Sequence, residues 1–391
     1  MSLRGGSNQA RVRDHNERLV LSLIRRNGSL SKAQIARIAG FSAQTATVIM
    51  RSLEQEQLLV RDKPVRGKVG QPSVPMRLNP DGVFSLGLKV GRRSADLVLM
   101  DFVGSITERR RIAYSFPGTE QVVDFVTRGA RELGGTLPPE HRSRLSGLGI
   151  AMPFEIWKWG EQVGAPEGKM RAWEGFDLKG AIFRATGLET FLENDATAGC
   201  SAELLLGNGH GSENFCYFHV GFFIGGGIVL NHHVITGPTG NAGSFGAMPM
   251  AGDKPGTVSL IDRASIHVLA NLMQENGQNP EILWQRPDDW GDPGPVLDSW
   301  ITLVGDSLAT AIVATCSVID FTEIIIDGGM PESVRARIVQ STRSHLEAMD
   351  VTGIAKPLIR EGSIGPNAPA MGGAILPIAT RYFINPTAIY N

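Results

Sequence analysis

Between Ser42 and Arg51 the sequence SAQTATVIMR places Ala43, Gln44, Thr47, Val48 and Arg51 on one face of a helix. Small side chains with one amide and one guanidinium suit a helix pressed into a major groove, where such groups pair with base edges. Ser42 stands at the start of that face. Shortly downstream, Arg66, Lys68 and Gln71 lie in a stretch rich in Arg, Lys, Gly and Pro, where cations could reach phosphates or a minor groove. The same residues also fit a helical hairpin with a solvated face followed by a plain linker. Charge favours the nucleic-acid reading. Residues 1 to 80 carry 14 basic and 5 acidic side chains, a net of plus 9, whereas the remainder sums to minus 10 and the whole chain to minus 1. A basic end on an acidic body is the footprint of phosphate neutralisation by that end alone.

The elements that would hold this face are written locally. Ser31 and Gln34 form a capping box that starts a helix near Lys32, and Gly40 stops it in the left-handed conformation. Ser42 caps the next helix after a three-residue corner, and Ala46, Ile49, Met50 and Leu53 give it a buried stripe. A bracing helix is expected over Asn16 to Arg26. The segment after Leu59 reads as a β-wing, two short strands with a basic tip. At 391 residues the chain exceeds one ordinary domain. Its three cysteines, Cys200, Cys216 and Cys316, fit a reducing compartment and read as buried apolar side chains. No apolar run approaching the roughly 20 residues of a membrane span is evident, so a cytoplasmic protein is expected.

From Val83 the texture changes. Phe84 to Val90, Ala95 to Asp101 and Ile106 to Ala113 read as an antiparallel meander, Thr119 to Leu133 as a helix, and Leu145 to Ala151 and Glu189 to Glu193 as strands. A helix follows from Asn194-Asp195, which cap it, to Leu206. Phe215 to Val220 and Gly227 to Leu230 read as a second hairpin around Gly225-Gly226-Gly227. The rest reads as mostly helical, with a strand at Glu323 to Asp327. Meanders alternating with helices, twice over, predict two similar α/β lobes with a cleft lined by loops at strand ends.

These motifs together resemble the ROK family of sugar-responsive repressors and sugar kinases: GKVGQPSVPMRLNP in the wing, ENDATAG at 193 to 199, IGGGIVLN at 224 to 231, GNAG at 240 to 243 and IIIDGG at 324 to 329. The resemblance implies an α/β architecture with an N-terminal winged helix-turn-helix (1–80) followed by a two-lobed actin-like, ribonuclease H-like ATPase or sugar kinase fold. Its lobes would span 81–195 and 196–391, with the C-terminal helix returning to the first. Asp195 matches the family's catalytic base and Asn194 a sugar contact, and Asn241, Ala242, Gly243 and Ser244 fall in the sugar loop. Yet Lys89 stands where the kinases carry a magnesium-managing acid, Arg92 and Arg93 replace a tight glycine turn, and Phe222-Phe223 fill a phosphate loop. Ser244 and Ala247 replace the Glu and His that reach the sugar, and no cysteines follow for a zinc site. Glu155, Trp157, Trp159 and Trp173 are candidates to compensate in the pocket.

The combined expectation is a regulator without enzymatic activity, metal or cofactor, Asp195 being a vestigial base. Its partners would be a double-stranded operator, a sugar-like effector and a second copy or three more of itself. An active sugar kinase with a DNA-binding appendage, and a DNA-binding protein insensitive to ligands, are the alternatives.

Overall fold

The computed structural model describes residues 9–64, 74–160, 164–207, 212–252 and 258–384. At the N-terminus, α1 (Gln9–Asn27), β1 (Ser29–Leu30), α2 (Lys32–Ala39), α3 (Ala43–Gln55), β2 (Leu59–Arg61) and β3 (Met76–Leu78) form the head. The capping box is present: Ser31 Oγ accepts from the Gln34 amide at 3.3 Å and the Gln34 side chain accepts from the Ser31 amide at 2.8 Å. Gly40 ends α2 at φ +69°, and Ser42 Oγ accepts from the Thr45 amide at 3.0 Å. Ala46, Ile49, Met50 and Leu53 are buried, as their spacing predicts. The wing strands pair antiparallel, Leu59 opposite Leu78, and β1 adds a third strand against β3. The wing tip lies outside the described residues.

α1 begins earlier than the apolar pattern predicts. Its first two turns lack an apolar stripe and carry i,i+4 ion pairs instead, Arg13 with Glu17 at 2.9 Å and Arg18 with Asp14 at 3.2 Å.

The first five-stranded sheet has the order β6-β5-β4-β7-β8. Here β4 (Phe84–Val90), β5 (Ser94–Asp101) and β6 (Ile106–Ala113) form the antiparallel meander, while β7 (Leu145–Ala151) and β8 (Thr190–Glu193) run parallel to β4. Helices α4 (Thr119–Thr136) and α5 (Leu178–Thr186) belong to this lobe, and α6 (Asp195–Leu206) leaves it. The second sheet, order β11-β10-β9-β12-β13, contains β9 (Phe215–Val220), β10 (Gly225–Leu230), β11 (His233–Ile235), β12 (Glu323–Gly328) and β13 (Leu358–Glu361). Its helices are α7 (Ile261–Ala264), α8 (Ile266–Glu275), α9 (Ile282–Gln285), α10 (Pro295–Cys316) and α11 (Glu332–Ala348).

Three details correct the sequence reading. The glycines Gly225 to Gly227 lie inside β10 and not in the turn before it, because Cβ atoms there would overlap Ala196, the Tyr217 carbonyl and Cys200. β11 and β13 are short edge strands in stretches without strand-like alternation. Finally, α10 is 22 residues long, and an 18-residue window in it reaches a mean hydropathy of 1.4, long and apolar enough to cross a membrane. Its buried face carries Trp300, Val304, Leu308 and Ile312 into the core of the second lobe.

The last helix, α12 (Ala368–Tyr382), packs against β4, β7 and α6, where Gly372 meets the Ala198 carbonyl so closely that a Cβ would overlap it. One apolar cluster joins Val20, Ile24 and Leu59 of the head to Met100, Phe102, Ile378 and Phe383 of the body. The head is therefore docked, not tethered.

Candidate functional site

The outer face of α3 is Ala43, Gln44, Thr47, Val48 and Arg51, all exposed. Among the described residues the side chains of Gln44 and Arg51 make no hydrogen bond, while the Thr47 hydroxyl donates to the Ala43 carbonyl at 2.8 Å. Val48 is 62% exposed, an apolar group that folding does not use and that a thymine methyl could cover. Ser42 is committed to capping. Arg66, Lys68 and Gln71 lie outside the described residues.

Between the lobes is a cavity of about 790 Å³. It brings together Asn194, Asp195, Asn241, Ala242, Gly243 and Ser244 with Glu155, Trp157, Trp159 and Trp173, from segments scattered over the sequence. Asn194 Oδ1 caps α6, accepting from the amides of Ala196 at 3.0 Å and Thr197 at 3.2 Å. Its own backbone amide donates to the Glu193 carboxylate at 2.9 Å, which fixes the cap. Burial pushes the Asp195 carboxyl above its ordinary range, while the charges of Arg92 and Lys89 oppose the shift. In the loop opposite, the Ser244 hydroxyl donates to Asn241 Oδ1 at 2.5 Å. Glu155 is neutralised by Lys158 at 2.6 Å. Trp173 is a core residue whose indole donates to the Pro117 carbonyl at 2.8 Å.

The cavity wall also holds residues the sequence did not single out: Phe154, Phe176, Thr239 and His219. His219 is buried, and desolvation, helped by the charge of Lys89, lowers its imidazole to about 3. Its Nδ1 lies 3.2 Å from the Tyr217 hydroxyl, which donates to Asp327 Oδ2 at 3.4 Å. Nothing in the spacing of these three residues announces the chain they form.

Two departures from the kinase pattern turn out to be one structure. The Arg92 guanidinium lies over the Phe223 ring at 4.3 Å and within 5.7 Å of Trp159, and Arg93 lies 5.5 Å from Phe222 and 5.0 Å from Trp284. These cation–π stacks leave a cavity of about 70 Å³ behind them, lined by Lys89, Arg111 and Asp195. Lys89 is 4.0 Å from Asp96, whose carboxylate also binds Arg109 at 2.8 Å and Arg111 at 3.2 Å. His232 and His233 do not face one another: His232 lies against Arg26 and Glu213, and His233 opens β11.

Comparison with known proteins agrees with this architecture. Residues 85–265 match the model described as ROK family, and residues 13–60 that described as winged helix-turn-helix DNA-binding. The xylose repressor of Bacillus subtilis is 25% identical over 246 residues, covering 62% of each chain, so this chain spans under two thirds of that relative. A β-glucoside kinase of Listeria monocytogenes is 29% identical over 188 residues, 46% of this chain and 63% of the kinase. A crystal structure described as a ROK family transcriptional regulator, homologue of the E. coli Mlc protein, superposes with a TM-score of 0.66 at 20% identity, covering 95% of this chain and 97% of the other. The chain carries a ROK-family domain behind a winged helix-turn-helix.

Proposed function

We propose that this ROK-family chain is a DNA-binding transcriptional repressor of carbohydrate-related genes, controlled by a small sugar-like molecule in the cleft between its lobes. The observation that carries the reading is the outer face of α3. Gln44, Val48 and Arg51 are exposed and make no side-chain hydrogen bond among the described residues. The likeness to a xylose repressor supports both halves of the proposal. α3 enters a major groove, the wing tip with Arg66, Lys68 and Gln71 meets the backbone beside it, and two heads of a homodimer or homotetramer read two half-sites. Effector control needs a ligand that prefers one arrangement of the heads over another. A helix joins the two sites: α6 starts at Asp195 in the cleft, and its last turn is bonded to α1 of the head.

A sugar kinase is the second reading, favoured by Asp195 at the start of α6 and by the likeness to the β-glucoside kinase. Against it, phosphoryl transfer depends on positioned metal and phosphate-cradling amides, and the Arg92–Phe223 and Arg93–Phe222 stacks, on the two loops that would have to supply those amides, support a retired site. We therefore read the domain as a kinase fold retired to binding, with Asn194, Asp195, Asn241, Ala242, Gly243 and Ser244 as its ligand contacts. Selection of genomic fragments by the purified protein near physiological salt tests the regulator. Enrichment of a discrete sequence with two half-sites supports it; uniform retention of all fragments rejects specific reading.

A further inference from the structure

Arg92 is 9% exposed, yet its guanidinium donates no hydrogen bond to any described residue, and its Nε is buried without a partner. An arginine can be withdrawn from water in this way only at considerable cost, since the desolvation of a charge is recovered through charge-assisted hydrogen bonds. The aromatic faces of Phe223 and Trp159 recover part of it and hold the side chain in place. They leave its N–H donors without a hydrogen-bond acceptor among the described residues. Arg92 lines both the large interlobe cavity and the small cavity behind it, so those donors face the space a ligand would occupy.

The surrounding charge has the same sign. Lys89, Arg92, Arg93 and Arg111 all line the small cavity, and Asp195 is the acid they share there among the described residues. Asp96, outside the cavity lining, is already bound by Arg109 and Arg111. In the large cavity Glu155 is paired with Lys158. A neutral polyol could offer the guanidinium hydroxyl oxygens but no negative charge, whereas an anion supplies both acceptor and counter-charge.

We infer that the effector is a sugar derivative bearing an anionic group, a carboxylate or a phosphate, that pairs with Arg92 at the junction of the two cavities. The inference rests on the reading of the cleft as a ligand site. A guanidinium pairs with either anion through two parallel N–H···O bonds, so both belong to the same ligand class.

The test is calorimetric titration of the full-length protein with D-glucuronate, D-gluconate and D-glucose 6-phosphate, with D-glucose and D-xylose as neutral probes and inorganic phosphate as the anion alone. At least one acidic sugar is expected to bind tenfold or more tighter than the neutral sugars, the fold-change that about 1.4 kcal/mol of charge-assisted bonding gives. Preference for the two carboxylates or for the phosphate ester identifies the anion. Arg92→Gln should remove that preference and Arg92→Lys restore part of it, with thermal melting showing that both variants fold. Neutral sugars binding as tightly as the acids, unaltered by Arg92→Gln, would overturn the inference while leaving the cleft a sugar site. Inorganic phosphate binding as tightly as the phosphate ester would also overturn it, because the sugar would then add nothing. Silence from every sugar of both classes would reject the inference together with the ligand-site reading.

Discussion

Arg25 of the first helix donates two hydrogen bonds, from Nη2 at 2.6 Å and Nε at 3.1 Å, to the carbonyl of Leu205 in the last turn of α6. The far end of that helix is Asp195, in the interlobe cleft. The last carbonyls of a helix lack intrahelical partners and attract cations, so a half-buried arginine there fastens the head to the helix and not only to the surface beneath it. Burial lowers the Arg25 guanidinium to about 10, with the charge of Asp101 opposing, and the Phe383 ring stacks on it at 4.8 Å. Arg18 donates to the Thr380 carbonyl of the neighbouring α12 at 3.1 Å, and the Ile384 amide, just beyond that helix, donates to Ser22 Oγ of α1 at 3.0 Å.

Arg25→Ala should therefore loosen the head. The two donors share one carbonyl oxygen and so count as a single charge-assisted interaction, worth roughly 1.5–3 kcal/mol, which is the loss urea unfolding should report. Amide exchange should rise in α1 and in the last turn of α6, while α10, in the core of the second lobe, stays protected. Arg25→Lys, with one compact donor group in place of a planar fork, should recover part of the loss. Unchanged exchange in α1 would mean that the apolar cluster alone holds the head and that α6 carries nothing to it.

On the DNA side, Gln44→Ala and Arg51→Ala should each cost about 1–3 kcal/mol in binding to the selected operator and little on random DNA. Lys68→Ala should weaken both and reduce the salt slope by about 1. Fluorescence anisotropy at several salt concentrations separates the two behaviours. Operator affinity indifferent to Gln44 and Arg51 would show that α3 is not the reading helix.

How much of this was open to reading depends on the range of the interaction. The Ser31–Gln34 box, the Gly40 stop and the buried stripe of α3 act within a few residues, and their side chains announce them. The meander of β4 to β6 is similarly local. Arg92 and Phe223 were each conspicuous as departures from a motif, but that they stack on one another depends on two hairpin turns meeting across the cleft. The bond from Arg25 ends on a backbone carbonyl, which every residue possesses, so no choice of side chain at Leu205 could signal it. The glycines of β10 marked a special place, though the demand comes from neighbours pressed against a strand and not from a turn.

On the proposal that the Arg92 and Arg93 stacks occupy the phosphate space, the wild-type protein, assayed with ATP, magnesium and a broad panel of sugars, should release no ADP above an Asp195→Asn control. Arg92 and Arg93 each lie within 6 Å of two aromatic rings, contacts that would have to be given up to admit phosphates there. Turnover that Asp195→Asn abolishes would restore the kinase reading and make the stacks a closed state.

Acid stability provides a check on the interior of the cleft. His219 is neutral in the fold, its pKa lowered to about 3, chiefly by burial and further by Lys89, whereas an unfolded histidine titrates near its ordinary 6.5. Between those values the unfolded chain binds the extra proton, so His219 makes stability fall as pH drops from 6.5 towards 3. Asp327 works in the opposite direction: its pKa is raised to about 6, mainly by burial, so the folded chain holds the proton and stability falls as pH rises from 3.8 to 6. In the wild type the two slopes partly cancel. Replacing His219 by Asn removes the first and leaves the second, so the variant's stability relative to wild type should improve steadily as the pH is lowered from 7 to 4, by a few kcal/mol in total. Urea unfolding at half-unit pH intervals measures that difference directly. A pH-independent offset between the two proteins would mean that His219 titrates normally in the fold, and hence that the wall of the cleft beside Lys89 is open to water.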